Sequence, residues 1–265
     1  MDTMLGRCDI PANPPEAAPG LVIRSSFFST HRKQTVGYQI GYPPGVAGGA
    51  RLPVCVYLHG YGSNETEAFD SFGFHRLLAG AVQAGVPGFA IATVNCGGTY
   101  FHPRASGEDS LGLVLEDFPT VLAQHGLLTT RMAVLGLSMG GFGALLAATE
   151  APKRFAAVVA SSPAVWPSYD EASNVNQGAF DSAEDWMRWG DLRPRMDRLQ
   201  GVPLRIDCGD SDSFAPNLHR LQELLPDRST MHFAKGCHDG PFWRAVAPEQ
   251  LKLIGTTLAA PPPPA

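Results

Sequence analysis

Residues 132–147 read MAVLGLSMGGFGALLA. An apolar run from Met132 to Leu137 enters Gly136-Leu137-Ser138-Met139-Gly140, and a small-residue helical pattern follows at once. This reads as a strand, a sharp turn and a helix, with Ser138 at the apex. The glycines two before and two after the serine answer a steric need. Such a turn strains the apex residue and presses strand and helix together where side chains would collide. It also leaves the serine Oγ at a helix N-terminus, where backbone N–H groups and the helix dipole favour negative charge. A bare G-x-S-x-G pattern is weak in a chain with 29 glycines. The strand before it and the helix after it supply the context that the chemistry requires. The bland alternative is a glycine-rich turn with an idle serine.

Working outward, strand-like and helix-like segments alternate. Residues 21–28 and 35–42 predict an opening antiparallel pair, 53–58 a short buried strand, 65–84 a helix with glycine interruptions, and 89–94 a strand. In 110–125, Leu111, Val114, Leu115, Phe118, Val121 and Leu122 fall on one helical face, with a bend expected at Pro119. Further strands are expected at 155–160, 204–208 and 230–234, a helix at 215–224, and a final helix or helix pair over 241–258, broken at Pro248. This alternation implies an α/β fold of the α/β-hydrolase type: a mostly parallel central sheet with helices on both faces. Sites in such sheets lie at the carboxyl ends of the strands. The polar stretch 163–200, with Trp166, Trp186 and Trp189, interrupts the alternation and reads as a small cap-like insertion. Its tryptophans could equally pack on the core. The predicted organisation is a loose segment at 1–20, one domain over 21–259, and a disordered proline-rich tail at 260–265.

The 265 residues carry a formal charge of −5 and no basic stripe, which argues against a nucleic-acid partner. No apolar stretch is long enough for a membrane helix, so no integral membrane segment is expected. The first twenty residues lack the apolar core of a signal peptide. Five scattered cysteines, Cys8, Cys55, Cys96, Cys208 and Cys237, fit a reduced cytoplasmic protein, with a single disulfide left open. No C-x-x-C or H-x-x-x-H spacing occurs, so neither a metal nor another cofactor is expected. The oligomeric state is left open.

A serine hydroxyl needs a base, and the base needs a carboxylate to orient it. In this fold class the order along the chain is serine, acid, histidine. After the strand at 204–208 comes the loop GDSDSF, with Asp210 and Asp212 as candidate acids. Asp212 lies farther into the loop and is favoured. Asp207 falls within the strand. Downstream histidines are His219, in a helix, His232, in a strand, and His238, in the glycine-flanked loop KGCHDGPFW, where a base belongs. Asp239 beside it is not expected to be the acid. The oxyanion needs two donors. One is the Met139 N–H. The other is the Tyr61 N–H in HGYGSN, after the strand at 53–58, with His59 and Gly60 shaping that loop beside the substrate. Tyr100, His102 and Arg104 in NCGGTYFHPRASGED, with Trp166, are candidate substrate-binding residues. Arg104 could instead pair with Glu108 or Asp109.

HGYGSN, GLSMGGFGA, GDSDSF and GCHDGPFW together resemble the Putative esterase family of α/β-hydrolases, which includes esterase D (S-formylglutathione hydrolase), feruloyl esterases and secreted mycolyltransferases. The resemblance runs from about Arg51 to Trp243. It implies acyl chemistry on Ser138. It also implies Asp212 as the acid, because Gly209, Asp212 and Phe214 match the family's G-x-x-D-x-F loop, and His238 as the base, followed by Phe242 and Trp243. The expected function is cleavage of a small-molecule carboxylic ester through an acyl-enzyme. An acyltransferase or thioesterase would use the same three residues, and a non-catalytic binding module would keep only the fold.

Overall fold

Eight runs of strand-forming residues join one sheet in the computed structural model, which describes residues 13–261. In chain order the elements are β1 (Val22–Ser29), β2 (Gln34–Gly41), β3 (Pro53–Leu58), α1 (Phe74–Gln83), β4 (Ala90–Val94), α2 (Phe118–Gln124), β5 (Leu128–Leu137), α3 (Met139–Glu150), β6 (Phe155–Ser161), α4 (Tyr169–Val175), β7 (Leu204–Gly209), α5 (Ala215–Gln222), β8 (Met231–Ala234) and α6 (Gly240–Ala259). The spatial order is β1-β2-β4-β3-β5-β6-β7-β8. The β1–β2 and β2–β4 pairs are antiparallel and every other pair is parallel.

Side chains alternate between the two faces of a strand, so the buried strands divide between two cores. Val54, Val56, Val134 and Val158 point to the face covered by α2 and α3. Cys55, Tyr57, Ala133, Leu135 and Val159 point to the face covered by α1 and α6. Helix α3 is buried from Met139 to Thr149, which its lack of any polar stripe anticipates.

The expected helix at 65–84 is two pieces, a π-type turn at Glu67–Ser71 and then α1, separated by Gly73 at φ 66°. Residues 110–124 are helical with a π-type middle, and Pro119 follows directly on that π-type turn, so the helical run continues past it. Pro248 does not divide the last helix. Helix α6 runs straight through it, held on both sides by buried Ala247, Gln250, Leu251 and Ile254. Residues 13–20 have no regular secondary structure, yet they are anchored: the Ala17 N–H donates to Arg76 O at 3.2 Å and Glu16 pairs with Arg244. The expectations for residues 1–12 and 262–265 lie outside the described residues. Residues 163–200 fold as α4 and three short helical turns, with Trp166 and Trp186 buried in the core on the α3 face.

No helix among the described residues is long and apolar enough to cross a membrane. Cys55, Cys96 and Cys208 are free and buried, whereas Cys237 is disulfide-bonded, so the fully reduced reading does not hold.

Candidate active site

β3 and β5 are neighbours in the sheet, with Leu58 opposite Gly136. The loop after β3 therefore lies beside the turn after β5. Ser138 occupies that turn at φ 54° and ψ −115°, a region that non-glycine residues avoid. A Cβ on Gly136 would overlap the Gly140 carbonyl, and a Cβ on Gly140 would overlap the Leu58 carbonyl. The pattern seen in the sequence is thus a packing requirement between strand, helix and the neighbouring strand.

Three chain segments, the outer two 100 residues apart, converge at Ser138. His238 Nε2 lies 2.9 Å from Ser138 Oγ, and His238 Nδ1 lies 2.9 Å from Asp212 Oδ2. Asp212 is buried, and its Oδ1 accepts the Phe214 N–H at 2.8 Å, which fixes the carboxylate plane. The His238 ring packs between Phe214 at 5.3 Å and Trp243 at 5.1 Å, and Trp243 Nε1 donates to Ser162 Oγ. The other carboxylates have separate roles. Asp239 caps α6 through the Phe242 N–H, Asp207 is held by Arg205 and Gln250, and Asp210 Oδ1 accepts the Gly236 N–H at 3.4 Å.

Met139 opens α3, so its N–H has no partner within the helix. The Tyr61 N–H donates to no acceptor among the described residues. His59 is almost fully buried, and its ring frames the loop: Nε2 accepts the Cys96 N–H at 3.0 Å, so the proton lies on Nδ1, which donates to Gly60 O at 2.8 Å. The expected substrate contact for His59 gives way to this structural role. Burial pushes the His59 pKa down from 6.5 to about 4. The fold thus favours neutral His59. That stabilisation is complete above pH 6.5 and is lost as the pH falls toward 4, a loss of about 3 kcal/mol. Urea unfolding at pH 7 and pH 4.5 checks this. His59→Asn, whose amide can still donate to Gly60 O, is expected to lose about 2 kcal/mol less over that interval than the wild type. Equal losses would refute it.

Glu67 was not singled out in the sequence. It is buried, and Oε2 accepts both the Gly60 N–H at 2.9 Å and the Tyr57 hydroxyl at 2.8 Å. Burial raises its pKa above the usual carboxylate range.

Gly60 lies against Ser138: a Cβ there would sit 3.9 Å from Ser138 Cβ. Tyr61 is 56% exposed and faces Tyr100, with ring centroids 6.0 Å apart. Tyr100 and Phe101 both take positive φ, and Tyr100 is wedged against Trp166, Phe142 and Phe180, its hydroxyl accepting from Asn176 Nδ2 at 3.0 Å. Trp166 bridges this group to Phe214, the residue packed on His238. Two expected substrate contacts are otherwise engaged. His102 is fully buried, with its ring nitrogens 2.8 Å from Pro103 O and 2.9 Å from Ala179 O. Arg104 forms a two-pronged pair with Asp181, not with Glu108 or Asp109, and lines a separate groove of about 500 Å³ between 103–105 and 181–189.

No cluster of three or more metal-ligating side chains occurs among the described residues.

Residues 29–240 match the Putative esterase family. The chain belongs to that family. It is therefore an esterase-type enzyme, and ester hydrolysis is its chemistry. The fold is shared with a solved ferulic acid esterase, at 19% identity and TM-score 0.76, covering 91% of this chain and 100% of that one. It is also shared with the S-formylglutathione hydrolase of Agrobacterium tumefaciens, at 20% identity and TM-score 0.72, covering 92% and 97%. A fluorophosphonate-binding serine hydrolase of Staphylococcus aureus matches at 20% identity and TM-score 0.69, covering 89% and 99%.

Proposed function

We propose that this esterase cleaves small carboxylic esters through an acyl-enzyme on Ser138. His238 Nε2 takes the hydroxyl proton as Oγ attacks the ester carbonyl, and returns it to the departing alcohol. Asp212 keeps the Nδ1–H tautomer in place and stabilises the imidazolium that forms. The Met139 and Tyr61 N–H groups receive the oxyanion. Water, activated by the same histidine, then releases the acid. The observation that carries this reading is the unbroken Ser138–His238–Asp212 chain of two 2.9 Å contacts.

Exposed Tyr61, beside Gly60 and backed by buried Tyr100 and Trp166, supplies an aromatic wall, which suits an ester with a flat or apolar part. The segment 163–200 contributes Trp166 and Asn176 to that wall, so we assign it the cap-like role of setting specificity.

The test is hydrolysis of p-nitrophenyl esters from acetate to long acyl chains, together with covalent labelling by a fluorophosphonate. Turnover with stoichiometric labelling of Ser138 is expected, and the chain-length profile then sizes the acyl site. Absence of both would remove this reading. Transfer to an added alcohol in preference to water would favour the acyltransferase.

A further inference from the structure

We propose that Glu67 is the positioning residue of the oxyanion loop, aiming the Tyr61 N–H by holding the Gly60 N–H. The proposal rests on the serine esterase reading above.

Gly60 has no side chain to fix its backbone, and it sits between the end of β3 and the exposed Tyr61. Two peptide groups flank it. The N–H of the first donates to Glu67 Oε2 at 2.9 Å. The carbonyl of the second accepts from His59 Nδ1 at 2.8 Å and from the Ser63 N–H at 3.3 Å. In a trans peptide the C=O and the following N–H point in opposite directions, and no cis peptide occurs among the described residues. With Gly60 O held toward the protein interior, the Tyr61 N–H faces away from it. Both planes must be fixed for that direction to be unique, because a free first plane would let the glycine rotate. His59 holds one plane and Glu67 the other.

The chemistry of Glu67 suits this role. Its Oε2 also takes the Tyr57 hydroxyl at 2.8 Å, from a residue inside β3 itself. The carboxylate thus ties the loop to the strand that carries it. The other oxygen, Oε1, lies 3.2 Å from where a Gly60 Cβ would stand. Glu67 comes from the π-type turn at Glu67–Ser71, a distortion often found where a side chain must be aimed. It reaches no reacting atom and acts only through Gly60. Pre-aligned donors matter because they meet the oxyanion without reorganisation in the transition state.

The experiment separates reach from charge. Glu67→Gln keeps the length and an oxygen able to accept from both Gly60 and Tyr57. Glu67→Asp keeps the charge but withdraws the oxygen by one methylene. Each variant is assayed per active site, titrated with a fluorophosphonate, beside the wild type and Ser138→Ala. Glu67→Gln is expected to keep kcat within about threefold, and Glu67→Asp to lose about tenfold or more in kcat with KM within about twofold. Affinity for an alkyl boronic acid, whose tetrahedral adduct needs the same donors, falls with kcat in Glu67→Asp and holds in Glu67→Gln. Wild-type kcat per titrated site in Glu67→Asp would overturn the proposal, as would a Glu67→Gln loss equal to that of Glu67→Asp. So would a loss that follows only the fraction unfolded in urea. Wild-type turnover that vanishes in Ser138→Ala upholds the serine esterase reading whatever the Glu67 variants do. Without such turnover both fall.

Discussion

Ser138→Ala is expected to lower kcat by about 10⁴-fold or more while the protein stays folded. The size follows from what is removed. Oγ stands 2.9 Å from His238 Nε2, so its loss leaves the base with no serine proton to take and the substrate with no covalent partner. What remains is binding and oxyanion stabilisation, which support only a small residual rate. The fold is expected to survive because the substitution removes one partly exposed hydrogen bond, worth about 1 kcal/mol, and no buried volume. For a chain of this size that corresponds to a shift of about 2–4 °C in Tm. Steady-state kinetics and thermal unfolding on the same preparation check both halves. A retained rate would remove Ser138 from the mechanism. A collapsed Tm would mean that the strained turn needs the hydroxyl for stability.

Much of this site was legible because its parts obey local rules. Gly136 and Gly140 are required by close backbone contacts around one strand–turn–helix unit, so their spacing alone marks Ser138 at the apex of the turn. His238 and Asp212 are recoverable because each lies in the loop after one of the parallel strands β8 and β7, whose carboxyl ends share one edge of the sheet with that of β5. What was not legible depends on register or on distant partners. Glu67 lies in a stretch that reads as one helix with Glu65. The π-type turn at Glu67–Ser71 decides which glutamate faces Gly60, and no periodicity announces such a turn. His102 and Arg104 sit near Tyr100 in sequence and look equally available. Their partners, Ala179 and Asp181, come from a polar insertion whose path the sequence does not encode in any periodic way. Pro248 misleads for a related reason. A proline interrupts an isolated helix, but α6 is pinned by buried side chains on either side of it, and tertiary packing outweighs the lost bond.

Asp212→Asn is expected to lower kcat by about 10⁴-fold, and Asp210→Asn to change it by less than about threefold. Two aspartates two residues apart in one loop offer a controlled comparison. In the wild type Asp212 Oδ1 is committed to the Phe214 N–H, and Oδ2 alone faces His238 Nδ1. An asparagine there keeps its oxygen on the Phe214 N–H, because that donor accepts no amide hydrogen. The amide nitrogen then faces Nδ1, and two N–H groups cannot share that contact. The imidazole takes the tautomer with its proton on Nε2, which cannot receive the Ser138 proton. The penalty is therefore tautomeric as well as electrostatic, and it should appear in kcat with KM little changed. Asp210 is exposed, and its carboxylate accepts from the Gly236 N–H at 3.4 Å and the Ser211 hydroxyl at 3.2 Å. Its neutral analogue keeps an oxygen for the Gly236 N–H. Parallel steady-state assays of the two variants check the assignment: a large loss in Asp210→Asn with a mild one in Asp212→Asn would exchange their roles. Equal mild losses would mean that His238 works without a carboxylate to orient it.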